Sequence, residues 1–141
     1  MTKIIITKRF RGFHYFHKDR WTVKDVRNNP RYTFLFGDNL QRKGKGGQAI
    51  IRDEPNAIGI PTKIYPARNP TAYFSDDNFE QNKTAINKAF LGIPEYDSII
   101  ISTNGLGTGL ADLQNKAPQT WRHLQSILYD IRTRLRVQIE M

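Results

Sequence analysis

Two glycine-rich segments are the parts of this sequence best suited to chemistry. The first spans residues 37–49, Gly-Asp-Asn-Leu-Gln-Arg-Lys-Gly-Lys-Gly-Gly-Gln-Ala, and the second spans 102–111, Ser-Thr-Asn-Gly-Leu-Gly-Thr-Gly-Leu-Ala. Each follows an apolar run typical of a buried strand. Glycine adopts positive φ easily and lets backbone N–H groups approach an anion closely. The pair therefore predicts a site that holds both sides of a diphosphate.

Neither segment matches an established phosphate-binding fingerprint. The first lacks the Gly-Lys-Ser or Gly-Lys-Thr of a P-loop, and the second lacks the spacing of the dinucleotide-binding fingerprint. The alternative that these glycines only form tight turns stays open for each segment. Two such segments in one short chain weigh against that alternative.

The segment from Phe13 to Trp21 mixes aromatic and basic residues, which is a second pattern that could serve chemistry. Aromatic rings beside Lys and Arg suit stacking on bases and contact with phosphates. The alternative is a hairpin whose rings pack on the sheet. His14 and His17 are two of the three histidines. Since no third ligand lies nearby in the sequence, we predict no metal site.

Strands that alternate with helices must position these segments. The inner strands of the sheet are predicted at Thr33–Phe36, Ala57–Ile60 and Ser98–Ser102, with shorter strands at Lys3–Lys8 and Val137–Met141. This alternation predicts an α/β fold with a central mixed sheet flanked by helices. The loops at 37–47 and 104–111 are then expected to meet at one edge of the sheet.

Three helices are predicted from their caps and apolar spacing. Thr22 caps a short helix that continues through Val26. A second helix begins at Ser75-Asp76-Asp77 and ends at Gly92 and Pro94. Pro118 opens the last helix. Its apolar stripe, which predicts core packing, consists of Trp121, Leu124, Leu128, Ile131 and Leu135.

The overall composition describes a small, basic protein. A chain of 141 residues suits one domain over residues 1–141. The absence of cysteine excludes disulfides and thiolate chemistry. No apolar run approaches the roughly 18 to 20 residues of a membrane helix, so we expect a cytoplasmic protein without membrane contact. The net charge of +9 favours phosphate-rich partners such as nucleic acid, with a merely basic surface as the alternative.

The motifs, in their order and spacing, resemble those of the macrodomains, and most closely the terminal ADP-ribose glycohydrolase branch. The resemblance covers residues 33–128 and consists of Gly44-Lys45-Gly46-Gly47-Gln48-Ala49, Thr62-Lys63 and Gly107-Thr108-Gly109-Leu110-Ala111-Asp112-Leu113. The chain is also similar to short bacteriophage proteins with the motifs F-G-D-N-L-x-R-x-G-x-G-G-Q-A and G-I-P-T-K. The resemblance implies a three-layer fold that binds ADP-ribose without a cofactor, in the host-cell cytoplasm if a phage encodes it.

The resemblance also implies roles for individual residues. It places Asp38 at the adenine and Asn39 at the distal ribose. The remaining ligand-binding residues that it implies, along the distal ribose and the phosphates, are Gly44, Gly46, Gly47, Gly105, Gly107, Thr108, Gly109, Leu110 and Ala111. From the residues alone, the alternative for Asp38 is that it shapes a turn.

Lys63 and Asp112 are the candidate catalytic residues that the resemblance implies, as the nucleophile and the acid. A lysine amine attacks a sugar carbon only when it is neutral, so burial or a nearby cation must lower its pKa. Lys43 and Lys45 are the candidates for that cation. The alternatives are a surface lysine that steadies a phosphate and an aspartate that caps the following helix.

Three functions are open at this point. In the first, the chain binds an ADP-ribose-like nucleotide and removes ADP-ribose from DNA or protein as a macrodomain-type hydrolase. In the second, it is a non-catalytic sponge that sequesters a nucleotide immune signal, which is an anti-defence function. In the third, it is a nucleic-acid-binding protein whose loops hold backbone phosphates. The sequence does not indicate an oligomeric state.

Overall fold

The structure, a computed structural model, describes residues 3–18 and 20–141. The strands and α-helices in this part of the chain are β1 (Ile5–Phe16), α1 (Val23–Arg27), β2 (Tyr32–Asn39), β3 (Ala57–Lys63), α2 (Phe79–Leu91), β4 (Asp97–Ser102), α3 (Leu113–Lys116), α4 (Pro118–Arg134) and β5 (Arg136–Glu140). Short 3₁₀ helices lie at Gly47–Ile51, Pro70–Ala72 and Asp76–Asn78. Within the described ranges, no helix combines the length and apolar character needed to cross a bilayer.

The strands form one mixed sheet in the order β3-β2-β4-β1-β5. The first four strands of that order run parallel, and β5 pairs antiparallel with β1. Parallel strands require crossovers, which the helices supply. The predicted mixed sheet flanked by helices is therefore confirmed.

Helices cover both faces of the sheet, so the fold has three layers. On one face, α2 and α4 pack on apolar side chains of the sheet such as Leu35 and Ile99. On the other face, α1 and the 3₁₀ helix Gly47–Ile51 pack with Phe34 and Phe36. Because successive strand residues point to opposite faces, β2 contributes to both clusters and reads as a continuous apolar run.

The prediction that Ala57–Ile60 is an inner strand is wrong. It is the start of β3, which lies at one edge of the sheet. Pro61 lacks an N–H to donate to a further strand, and proline in a sheet is largely confined to edges. Among the described residues, the outer side of β3 carries only an isolated bridge between Lys63 and Tyr73. The run is apolar because α2 packs on this strand.

The hairpin alternative for the aromatic and basic segment is also wrong. Residues 10–16 belong to β1 and pair in parallel with β4, after a register shift between Phe10 and Gly12. The rings nevertheless pack on the sheet: Phe16 lies 5.9 Å, centroid to centroid, from both Trp21 and Phe34. Asp19, in the middle of this segment, lies outside the described residues.

Most helix boundaries agree with their sequence signals. Thr22 caps α1 in a reciprocal capping box with Asp25, Pro118 stands in the first turn of α4, and Gly92 ends α2. Ser75 makes no side-chain cap, because a 3₁₀ turn precedes α2. Leu135 does not extend the buried stripe of α4. It ends the helix in the left-handed conformation with φ 53° and is 37% exposed.

Two substitutions on α4 test this distinction. Leu124 is fully buried, so Leu124→Ala should lower the free energy of unfolding by about 2–5 kcal/mol, the cost of a core cavity. Leu135→Ala should cost less than about 1 kcal/mol, as is usual away from the core. Urea denaturation of both variants measures the difference. Equal losses would contradict the structural assignment of Leu135.

Candidate functional site

A cavity of about 820 Å³ lies at the carboxyl ends of β2, β3 and β4. The chain leaves β2 along the α1 face and returns as β3, whereas it leaves β4 along the other face through α3 and α4. The neighbouring strands β2 and β4 are therefore followed by connections that diverge. Ligands of open α/β sheets bind in the crevice at such a switch point.

Gln48 joins the two glycine-rich loops across this crevice. Its Oε1 accepts a hydrogen bond from the Gly37 N–H at 2.9 Å, and its Nε2 donates to the Gly105 carbonyl at 2.9 Å. Trp21 Nε1 donates to the Gln48 carbonyl at 3.0 Å. The prediction that the loops meet at one edge of the sheet is confirmed. Gln48 was not among the predicted site residues, although it stands in the first motif.

The Asp38 carboxylate is the centre of a buried ionic network. Its side chain is 1% exposed. Arg52 donates to both oxygens, from Nη2 to Oδ1 at 2.6 Å and from Nη1 to Oδ2 at 3.0 Å. Arg42 Nη1 donates to Oδ2 at 3.0 Å, and the Asn39 N–H donates to Oδ1 at 2.7 Å. A buried carboxylate requires such compensation, because an unpaired charge in the interior is costly.

The same network fixes the backbone of the first loop. Arg52 Nε donates to the Gly44 carbonyl at 2.8 Å, and its Nη2 donates to the Lys43 carbonyl at 3.1 Å. A Cβ on Gly59 would overlap Asp38 Oδ2, so only glycine at this position of β3 leaves room for the carboxylate. The predicted contact of Asp38 with adenine stays a prediction. What the geometry assigns to Asp38 is the anchoring of this loop.

Asn39 shapes the turn that follows β2. Its Oδ1 accepts from the Gln41 N–H at 3.1 Å, and its Nδ2 donates to the Lys43 carbonyl at 2.8 Å. The side chain is buried. Its predicted contact with the distal ribose also stays a prediction, and it would require these bonds to rearrange.

The two loops present consecutive backbone N–H groups without protein acceptors. Within residues 3–18 and 20–141, the N–H groups of residues 107–111 donate to no protein atom, and the same holds for residues 44–48. All of these residues except Lys45 line the cavity. Unpaired N–H groups in succession form a concave site for an anion. The two runs therefore offer backbone donors to an anion in the cavity.

Gly107 shows why glycine is required in the second loop. Its φ is +75°, and an added Cβ would lie 3.1 Å from side-chain atoms of both Leu113 and Thr62. Gly47 also has a positive φ, of +58°, but has open space around it. Gly46 and Gly109 have no positive φ, and a Cβ added to either would meet nothing within 4 Å. The glycines of the loops therefore serve different purposes, and only some are needed by the fold itself.

Lys63 lines the cavity at the end of β3. Its ammonium donates to the Ala67 carbonyl and lies 4.6 Å from the centre of the Tyr73 ring. Partial burial, and then the nearby charge of Arg68, lower the pKa of Lys63. The expectation that Lys43 or Lys45 supplies this cation is wrong, because Arg68 supplies it. Lys45 instead pairs with Asp53.

The predicted site residues separate into two groups. Those that line the cavity are Asp38, Asn39, Gly44, Gly46, Gly47, Lys63, Gly107, Thr108, Gly109, Leu110 and Ala111. Gly105 and Asp112 do not line it. Gly105 contributes the carbonyl that Gln48 binds. Asp112 stands at the start of α3, and its Oδ1 accepts from Asn115 Nδ2 at 2.8 Å. Its carboxylate caps no backbone N–H, so the helix-cap alternative is wrong.

The charge around the cavity is strongly positive. The charged residues in its lining are Arg20, Lys43, Arg52, Lys63, Arg68 and Asp38. Asp38 is already neutralised by Arg52, so the field that remains attracts anions. Trp21 also lines the cavity, but it is only 5% exposed and packs in the core, which leaves little of its ring available to stack on a base. The described histidines and carboxylates form no group of three that suits a metal ion.

A protein-family model described as "Family of unknown function (DUF7831)" matches residues 16–127. The match begins at the end of β1 and extends into α4, so it includes both glycine-rich loops and Lys63. Comparison with curated proteins and with solved structures gave no match.

Arg52 and Arg42 provide a matched pair for testing the network. Arg52 is 14% exposed at its side chain and makes four bonds, whereas Arg42 is 51% exposed. Arg52→Ala should lower the free energy of unfolding by about 3–5 kcal/mol, because it leaves a buried charge short of its partner. Arg42→Ala should cost about 1 kcal/mol or less. Denaturant titration measures both, and a larger loss for Arg42→Ala would contradict the assignment.

Proposed function

We propose that this chain, which belongs to the family of unknown function DUF7831, binds ADP-ribose or a related NAD-derived nucleotide in the cavity between its two glycine-rich loops. The observation that carries the proposal is the pair of N–H runs that lack protein acceptors in the described residues and belong to loops lining one cavity at the switch point of the sheet. A diphosphate has oxygens on two sides and accepts bonds from both runs at once. Backbone donors and surrounding cations then share its charge.

The dimensions of the cavity support a ligand larger than a phosphate ion. Its volume of about 820 Å³ is within the range of small-molecule and cofactor sites, roughly 300–1,000 Å³. A single anion would use one run of N–H groups and leave most of this space unfilled. A nucleotide with a diphosphate near its middle uses both runs and places a ribose on either side. The resemblance of the loops to those of macrodomains selects ADP-ribose from this class.

Binding without turnover is the form of this function that the geometry supports best. The candidate acid Asp112 does not line the cavity and bonds to Asn115 instead. A leaving group in the cavity would therefore lack the acid that the resemblance assigns. A protein that binds a signalling nucleotide tightly and does not alter it acts as a sponge, because it lowers the free concentration of that nucleotide.

Hydrolysis through Lys63 is the second candidate, and one observation favours it. Lys63 lines the cavity, and its lowered pKa increases the fraction of neutral, nucleophilic amine at a given pH. In such a reaction the amine attacks the anomeric carbon, the bond to the leaving group breaks, and water then cleaves the lysine adduct. The substrate class would be DNA or protein that carries ADP-ribose.

Gly46→Val and Gly109→Val test the binding site without disturbing the fold. Both positions line the cavity, neither has a positive φ, and an added Cβ meets nothing within 4 Å. The valine side chain should fill the space of the ligand and weaken ADP-ribose binding at least tenfold, at an unchanged melting temperature. Isothermal titration calorimetry measures the affinity.

Gln41→Val is the control for these variants, because Gln41 is exposed in the first loop and does not line the cavity. It should bind like the wild type. Wild-type affinity in both glycine variants would remove the loops as the binding site. Gly107→Val is a poorer test, since its strain and close contacts would damage the fold as well.

Lys63→Ala and Lys63→Arg separate hydrolysis from binding. If Lys63 is the nucleophile, both variants lose turnover of an ADP-ribosylated peptide or oligonucleotide, because a guanidinium stays protonated. Wild-type turnover then rises with pH as the amine loses its proton, below the pH range of an ordinary lysine. If Lys63 only steadies a phosphate, arginine replaces it well, and alanine costs about 1–3 kcal/mol of affinity.

Lys116→Ala is the matched control for Lys63, because the Lys116 ammonium lies 4.9 Å from the centre of the same Tyr73 ring but outside the cavity lining. It should leave binding and turnover unchanged. Full turnover by Lys63→Arg would exclude the nucleophile. Tight wild-type binding with no turnover of either substrate would establish the sponge.

A further inference from the structure

The cavity holds more positive charge than a diphosphate can balance. Arg52 is committed to Asp38 and to the loop carbonyls. Four lining cations remain, namely Arg20, Lys43, Lys63 and Arg68. ADP-ribose carries two negative charges at neutral pH, one on each phosphate, and the N–H runs already offer donors to both. Its binding would leave about half of this cationic charge without a counterpart.

Three of these cations have no protein acceptor in the described part of the chain. The side chains of Arg20, Lys43 and Arg68, hereafter the cationic rim, make no hydrogen bond or ion pair there. They come from three separate segments, before α1, in the first glycine-rich loop and after β3, and what they share is the cavity. Like charges that converge on one space repel one another unless an anion lies between them.

The positive charge of Arg68 acts on the neighbouring Lys63. It contributes to lowering the pKa of Lys63, so these two cations already oppose each other across the end of β3. An anion bound near them would remove this repulsion and stabilise both charges.

We propose that the ligand carries a phosphate monoester in addition to its diphosphate, and that the cationic rim binds this third phosphate. This inference rests on the proposed function and narrows its ligand class to NAD-derived nucleotides with an extra phosphate, such as those that derive from NADP. A phosphate monoester carries about −1.5 to −2 charges at pH 7. With the diphosphate it gives a ligand of nearly four negative charges, which matches the four lining cations that have no carboxylate partner in the described part of the chain.

The test compares ADP-ribose with ADP-ribose that bears the extra phosphate on the 2′ or the 3′ hydroxyl. Isothermal titration calorimetry at two salt concentrations should give at least tenfold tighter binding for one of the phosphorylated forms. Its affinity should also fall more steeply with salt, because more ion pairs form. The triple variant Arg20→Gln, Lys43→Gln, Arg68→Gln should remove this difference, because it should lower the affinity for the phosphorylated form at least tenfold more than the affinity for ADP-ribose.

The matched control is a triple variant of exposed cations outside the cavity, Lys24→Gln, Arg31→Gln, Arg122→Gln, which lowers the net charge equally. It should keep the preference for the phosphorylated form. Equal binding of ADP-ribose and both phosphorylated forms would overturn the inference while leaving the proposed function intact. Loss of the preference in the control variant would overturn the rim as its origin. Failure of all three ligands to bind would overturn the proposed function and this inference together.

Discussion

The buried carboxylate of Asp38 is the constraint from which the rest of the site follows. A charge with almost no exposure persists only where donors surround it, and here the donors are Arg52, Arg42 and a backbone N–H. Arg52 satisfies Asp38 and two loop carbonyls with one guanidinium. The Asp38 carboxylate, through Arg52, therefore positions the first glycine-rich loop before any ligand binds.

The orientation of that loop has a chemical result. Arg52 binds the carbonyls of Lys43 and Gly44, and the next five N–H groups have no protein acceptor in the described ranges. The second loop contributes five such donors, at residues 107–111, to the same cavity. Under the proposed function, the backbone of this site recognises phosphate, and its side chains contribute net charge and shape. Because the backbone and the side chains have these different roles, a cavity lined by arginines and lysines can be shaped by loops that consist largely of glycine.

The fold and the general place of the site were predictable, because both depend on local patterns. Apolar runs followed by glycine predicted β2, β4 and the two loops, and the capping residue Thr22 predicted α1. Sequence could not order the strands, so β3 was expected inside the sheet although Pro61 suits an edge. Contacts between residues that are far apart in the sequence escaped prediction entirely, because nothing local couples Arg52 to Asp38 or Gln48 to Gly105. Asp112 was a catalytic candidate because of the motif at residues 107–113 in which it stands. The turn before α3 nevertheless keeps it out of the cavity lining.

The Gln48 bridge has a consequence for kinetics. The side-chain amide of Gln48 bonds to the backbone of Gly37 and of Gly105, on the two sides of the crevice, so the spacing between the loops is set in the free protein. Neither wall can swing over a ligand as a lid without breaking one of these bonds, and little ordering entropy remains to be lost on binding. Association should then proceed in a single step, at a rate limited by encounter and quickened by the basic surface. Different nucleotides would then differ mainly in the rate at which they dissociate from the cavity, and only little in the rate at which they bind.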